Sequence, residues 1–143
     1  MTRINLVDPA ILTDKHLLAE YKEITRPFNK MKKRLADNNP PTDIPEKYCL
    51  GKGHETFFFD KLGWLWHRYN SLYAELCIRG YNMDFSKFRD ISRDFEKTFL
   101  KTEWWSHPTE SWNPTPEEIY LNMARLAKRS NIEAVQQELK SDK

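Results

Sequence analysis

Chemistry is best sought first at the start of this chain, Met1-Thr2-Arg3-Ile4-Asn5-Leu6. Methionine aminopeptidase removes Met1 when the next side chain is small, and threonine qualifies. Removal exposes an α-amine on Thr2. Such an amine has a reference pKa of about 7.7–8.0, against about 10.4 for lysine. At pH 7 roughly a tenth of these amines are neutral, against a few lysines in ten thousand. An N-terminal amine is therefore a nucleophile at neutral pH without burial or a helper base. In most proteins a second residue is no more than that, so the neighbours must decide.

The neighbours include a carboxylate beside cations. A helix over Thr13 to about Thr25, drawn at 100° per residue, puts His16, Glu20 and Glu23 within about one stripe. Lys15, Lys22 and Arg26 form a second stripe, and Leu17, Tyr21 and Ile24 form an apolar one. A carboxylate among phosphate-binding cations repels a DNA backbone and weakens simple binding. It makes sense where one carboxylate has chemistry to perform. The competing reading is ordinary ion pairing on a surface helix at spacings of three and four.

Three further groups are candidates. Gly51-Lys52-Gly53-His54 resembles a phosphate-cradling loop only weakly, because it follows no predicted strand and lacks the Walker spacing; a tight turn at a helix start fits better. Trp104-Trp105 with Trp112 could stack on bases or fill a core. Arg125 and Arg129, one turn apart with Lys128 beside them, suit consecutive phosphates or a solvated face.

Charge narrows the partner. The net charge is only +2, yet residues 1–36 carry eight basic against four acidic side chains, a local +4. That asymmetry fits a polyanion. Cys49 and Cys77 lack metal spacing and are expected to be reduced and structural. The four histidines do not pair at ligand spacing, so no metal and no cofactor is expected. The first twenty residues contain Arg3, Asp8, Asp14, Lys15 and Glu20, unlike a signal peptide. No apolar run approaches membrane length. These features predict a soluble, cytoplasmic protein with no membrane partner, acting as a monomer.

The elements that must position these residues read as all-α, a compact single-domain helical bundle with long loops. Thirty-nine per cent hydrophobic residues are enough for a core. Alternation of period two and Asn-Gly or Asp-Gly turns are absent. Leu17, Tyr21, Ile24 and Phe28 recur at helical spacing, and Pro27 should end or kink that helix before a second one to Ala36. Residues 38–45 form a loop. The longest apolar helix is predicted from about Glu55 to Arg79, with Gly80 in a C-terminal cap. Phe85, Phe88, Ile91, Phe95 and Phe99 suggest a short helix. Thr115-Pro116-Glu117-Glu118 is a capping box opening a helix to about Arg129. Asn131 is placed to cap a last, mostly polar helix to Leu139.

Three ordered segments carry a resemblance: Met1 to Leu6; His16-Leu17-Leu18-Ala19-Glu20-Tyr21-Lys22-Glu23 with Arg26; and Leu50-Gly51-x-Gly53-His54-x-Thr56-Phe57-Phe58-x-Asp60-Lys61-Leu62. Together they resemble the pyrimidine-dimer DNA glycosylase family, that of phage endonuclease V. The likeness is close over residues 1–28 and 49–80; later, Ala124-Arg125-Leu126 and Arg129 are similar to the family's last DNA-contacting helix. The resemblance implies an N-glycosylase with abasic-site lyase activity on double-stranded DNA containing a damaged or altered base. It implies Thr2 and Glu23 as catalytic residues, and Arg3, Lys22, Arg26, Arg125 and Arg129 as DNA-binding residues. His16 and Tyr21 match residues near the site, and Trp104 and Trp105 are candidates to line it. Residues 1–130 would form the glycosylase/lyase domain and 131–143 a polar tail.

The departures bear on the lesion. Lys22 stands where an arginine is usual and Arg129 where a lysine is. The family's aromatic tail is replaced by residues 131–143, which hold no aromatic side chain. Two alternatives therefore stand beside excision of cyclobutane pyrimidine dimers. One is the same chemistry on another altered pyrimidine. The other, favoured if Met1 is retained and blocks the amine, is a DNA-binding protein without catalysis.

Overall fold

The computed structural model describes residues 3–105 and 112–141, the stretch 129–141 as backbone. Thr2 and residues 106–111 lie outside the described residues. The elements are helices and 3-10 turns, with no strand among the described residues, as the all-α reading expects. The chain divides into two compact units, Met1–Ile4 with Asp8–Asn113 and Asn5–Val7 with Pro114–Lys143.

The first unit is built around α4 (Leu62–Ile78). It packs against α1 (Asp14–Glu23), α5 (Phe85–Phe99) and the 3-10 turn Pro9–Ile11. Thr13 caps α1, its hydroxyl accepting the His16 N–H at 3.2 Å. Leu17, Ile24 and Phe28 of the predicted stripe are fully buried, while Tyr21 is half-buried and stacks on Tyr69 with ring centroids 5.3 Å apart. The interruption expected at Pro27 falls at Ile24, and α2 (Thr25–Ala36) follows at once. Pro27 sits in the first turn of α2, where its missing N–H costs nothing. Its ring excludes the carbonyl four residues back, that of Glu23, so α1 must stop there. Phe28 then stacks on Phe95 of α5 at 4.2 Å, which joins the two helices in one core.

The long apolar helix differs from its prediction. It is broken into α3 (His54–Phe57), a 3-10 turn over Phe58–Asp60, and α4. Lys61 leaves helical geometry at φ −128° and ψ 35°. Its buried ammonium bonds back to the Phe57 carbonyl at 3.1 Å. The N–H groups that lack an intrahelical partner at the buried start of α4 are taken by a distant loop: Leu62 donates to the Trp104 carbonyl and Gly63 to that of Trp105. The apolar spacing does not betray the break, because Phe57, Phe58, Leu62 and Leu65 on its two sides are all buried. The far end of α4 follows its prediction. Gly80 has φ +88°, and the Gly80 and Tyr81 N–H groups return to the Cys77 and Leu76 carbonyls, the paired bonds of a Schellman cap. α5 begins at its cap Asp84, and its Phe95 and Phe99 are buried as the spacing predicts.

In the second unit the capping box forms. Thr115 Oγ1 accepts the Glu118 N–H at 3.2 Å and Glu118 Oε1 accepts the Thr115 N–H at 3.0 Å. The helix it opens, α6 (Pro116–Ser141), does not stop near Arg129 but runs on as one element. No glycine or proline lies between Ala127 and Ile132, so nothing interrupts the backbone bonds and Asn131 is an interior residue rather than a cap.

Candidate active site

The N-terminal arm is fixed by three bonds in the first unit. The Arg3 N–H donates to Glu23 Oε2 at 2.8 Å. The Ile4 N–H donates to His54 Nε2 at 2.7 Å, and the Ile4 carbonyl accepts the Tyr48 hydroxyl at 2.9 Å. The other nitrogen of His54, Nδ1, lies 2.8 Å from the Cys49 carbonyl. A carbonyl only accepts, so Nδ1 carries the proton and Nε2 is left as the acceptor that Ile4 needs.

The local sequence explains why His54 stands there. It is the first residue of α3, and Gly53 before it has φ +89°. A Cβ at Gly53 would press on Pro45 Cγ at 3.2 Å and Cys49 Sγ at 3.4 Å. Glycine is needed both for the turn and for the close approach. The ring of Tyr48 meets those of His54, Phe57 and Phe58 edge-on at 5.4–6.2 Å, which braces both residues that hold Ile4.

α1 is oriented by a buried ion pair. Glu20 is bonded twice by Arg68 of α4, Nε to Oε2 at 2.7 Å and Nη2 to Oε1 at 3.1 Å, with both side chains buried. The projected acidic stripe therefore needs correction, because Glu20 faces the core. It lies three residues from Leu17, about 60° around the helix from the apolar stripe, near enough to turn inward. Glu23, one turn on and half-buried, keeps its carboxylate for the arm.

The other sequence candidates are placed as follows. Lys22 and Arg26 are exposed on either side of the α1–α2 junction. Tyr21 and Lys22 line a cleft of about 360 Å³ with Tyr69, Asn82, Lys87 and Phe88. Burial pushes the Tyr21 phenol above its usual pKa, against the opposing effect of its bond with Tyr69. His16 is half-buried and its Nε2 has no hydrogen-bond partner among the described residues. Trp105 is buried against Trp66, and Trp104 borders a cleft with Met31, Arg34 and Leu35 at the C-terminal end of α2. Glu23 precedes the opposite end of that helix, whose twelve residues span about 18 Å. Trp112 packs among Phe57, Phe58 and Trp64. In the second unit Arg125 is half-buried and donates to Asn5 Oδ1 at 3.0 Å. Thr2 and the Arg129 side chain lie outside the described residues.

Sequence reasoning assigned no role to Tyr48, His54 or Arg68. His54 had a local signal in Gly53-His54, whereas nothing local marks Tyr48 or Arg68. No group of three or more His, Cys, Asp or Glu among the described residues could hold a metal ion. No helix there is long and apolar enough to cross a membrane.

A carboxylate bonded to a chain end, with exposed cations beside it on helices, suits an enzyme that acts on a polyanion. The family model for pyrimidine dimer DNA glycosylases matches residues 1–88, and the chain belongs to that family. The family implies DNA glycosylase activity with DNA as substrate. The matched span contains Arg3, Glu23, Arg26 and His54 and ends inside α5, before Trp104, Trp105 and Arg125.

Proposed function

We propose that this protein is a bifunctional DNA glycosylase and abasic-site lyase whose nucleophile is the Thr2 α-amine. The observation that carries the reading is the bond from the Arg3 N–H to Glu23 Oε2 at 2.8 Å. Covalent geometry keeps the Thr2 α-nitrogen within about 4 Å of the Arg3 nitrogen. A carboxylate bonded to that amide is within reach of the amine's chemistry.

The neutral amine attacks C1′ of a damaged pyrimidine nucleotide in duplex DNA. The bond from C1′ to the base breaks, and the base leaves with its electron pair and takes up a proton. The amine gives up a proton, the C1′–O4′ bond opens, and an imine joins enzyme and sugar. Loss of a C2′ proton then expels the 3′ phosphate through cleavage of C3′–O3′, and water hydrolyses the imine. Glu23 stabilises the cationic sugar and moves the protons. Arg3, Lys22 and Arg26, with Arg125 and Arg129, hold backbone phosphates. C1′ is reachable only if the duplex is kinked or a nucleotide is turned out of the stack.

Borohydride reduces the imine to a stable amine. With Met1 removed, the protein should be trapped on abasic duplex, and peptide mapping should place the adduct on the Thr2 α-nitrogen. Mapping to a lysine would remove the reading. Cyclobutane pyrimidine dimers are the substrate the family favours. The aromatic-free stretch 131–143 favours a second reading, the same chemistry on another altered pyrimidine. Cleavage of abasic duplex without cleavage of ultraviolet-irradiated duplex would select the second.

A further inference from the structure

A cleft of about 370 Å³ lies beside the arm, and two of its cations, Lys30 and Lys52, have no role above. It is lined by Arg26, Lys30, Gly51, Lys52, Glu55 and Thr56, and also by His54, the residue that holds Ile4. We propose that this cleft is a subsite for a backbone phosphodiester of the duplex, with Lys30 and Lys52 as its cations. The proposal rests on the DNA-cleaving function above and extends its footprint.

Three observations carry it. The lining has three cations and one carboxylate, an excess that favours an anion. Arg26 and Lys30 are one turn apart on α2, a rise of about 6 Å, so a strand held by Arg26 brings its next phosphate towards Lys30. Lys52 sits on a turn whose flanking glycines both have positive φ, 74° at Gly51 and 89° at Gly53. A Cβ at Gly51 would meet nothing within 4 Å, so the turn opens to space on that side. The Lys52 ammonium has no acidic partner among the described residues.

Glu55 defines how the subsite works. Its carboxylate is ion-paired with Lys30 at the cleft wall. Lys30 is 58% exposed in that pair and Glu55 only 18%, so a ligand reaches Lys30 from solvent. A carboxylate on this ammonium is a local stand-in for a phosphate oxygen. It keeps Lys30 over the cleft when no DNA is bound and must be displaced when a phosphate arrives. Glu55 therefore lowers affinity while holding the subsite in shape.

The test uses the full chain with Met1 removed, a duplex carrying one tetrahydrofuran abasic analogue, and affinity measured against salt. The analogue has no C1′ leaving group, so binding is read without chemistry. Lys30→Gln and Lys52→Gln should each reduce the slope of log affinity against log salt by about one unit. Glu55→Gln should bind several-fold more tightly. A single methylphosphonate moved along the strand should weaken the wild type at one position near the lesion and add nothing there in the double lysine variant. Unchanged slopes in both lysine variants, weaker binding by Glu55→Gln, or an undiminished methylphosphonate penalty in the double variant would each overturn the subsite. Wild-type protein that cleaves abasic DNA alongside any of these results leaves the function standing and removes only the subsite. Wild-type protein that neither binds nor cleaves removes both.

Discussion

Glu23 has two uses that one substitution can separate. It accepts the Arg3 N–H, and in the proposed reaction it carries charge and protons. Glu23→Gln keeps an acceptor oxygen for Arg3 and removes the charge. The rate constant of single-turnover cleavage of abasic or dimer-containing duplex should fall by at least ~100-fold, the scale of acid–base and charge stabilisation. Affinity for the same duplex should hold or improve, since a backbone-repelling charge is gone. If that rate survives, Glu23 only holds the arm. At this scale the sequence was legible where a residue's neighbours in the chain describe its setting: Glu23 lies between Lys22 and Arg26 at the junction of α1 and α2. Tyr48 and His54 were not legible as partners of Ile4, because they lie 44 and 50 residues away. Only the folded turn before α3 brings them there.

α1 takes its orientation from the Glu20–Arg68 pair, and this predicts an asymmetry. Arg68→Ala leaves a buried carboxylate without its partner, which should cost about 3–5 kcal/mol in urea unfolding. Replacing both together, Glu20→Leu with Arg68→Met, should cost far less, because no orphan charge remains. A loss under about 1 kcal/mol in Arg68→Ala would mean that water reaches Glu20. The same core makes an alkaline prediction. Burial raises the phenol pKa of Tyr69, and also that of Tyr21. Folding thus keeps protons that the unfolded chain loses near pH 10. Stability from this source is full below that pH and falls as pH rises above it. Tyr69→Phe should flatten the fall, as followed by unfolding against pH, and an equally steep fall would assign it elsewhere. Elements defined by local chemistry were legible: the Thr13 cap, the Phe repeat of α5, the Gly80 cap, and the capping box of α6. The break at Lys61 was not, because its start is satisfied by carbonyls about forty residues away, at Trp104 and Trp105. Nor was the run of α6 past Asn131, where a capping residue type met an uninterrupted helix.

Across the whole chain, the second unit joins residues near both ends. Asn122 of α6 is fully buried. Its Oδ1 accepts the Leu6 N–H at 2.7 Å and the Val7 N–H at 3.3 Å, and its Nδ2 donates to Asn5 Oδ1 at 2.8 Å. Arg125, a candidate for phosphate binding, donates to the same Asn5 oxygen. No periodicity or composition signal points to a pairing across 116 residues, and a single asparagine in a polar helix gives no hint of it. Residues 5–7 follow directly on Arg3 and Ile4, so the segment that Asn122 holds continues the arm that Glu23 and His54 hold. Asn122→Leu keeps the bulk and removes the one oxygen that accepts from two buried backbone N–H groups. Each unsatisfied group should cost about 1–3 kcal/mol, so the variant should lose several kcal/mol of stability. Asn122→Asp keeps the Oδ1 that accepts from Leu6 and Val7 but replaces the donor Nδ2 with an oxygen facing Asn5 Oδ1 and buries a carboxyl, so it too should be destabilised, with the two backbone N–H groups still paired. Amide hydrogen exchange gives a reading that a general loss of stability does not. In Asn122→Leu the Leu6 and Val7 amides should exchange far faster, while those of Leu65 to Leu76 in α4 stay protected. Unchanged protection at Leu6 and Val7 in that variant would mean that other groups hold residues 5–7 and that Asn122 merely fills space.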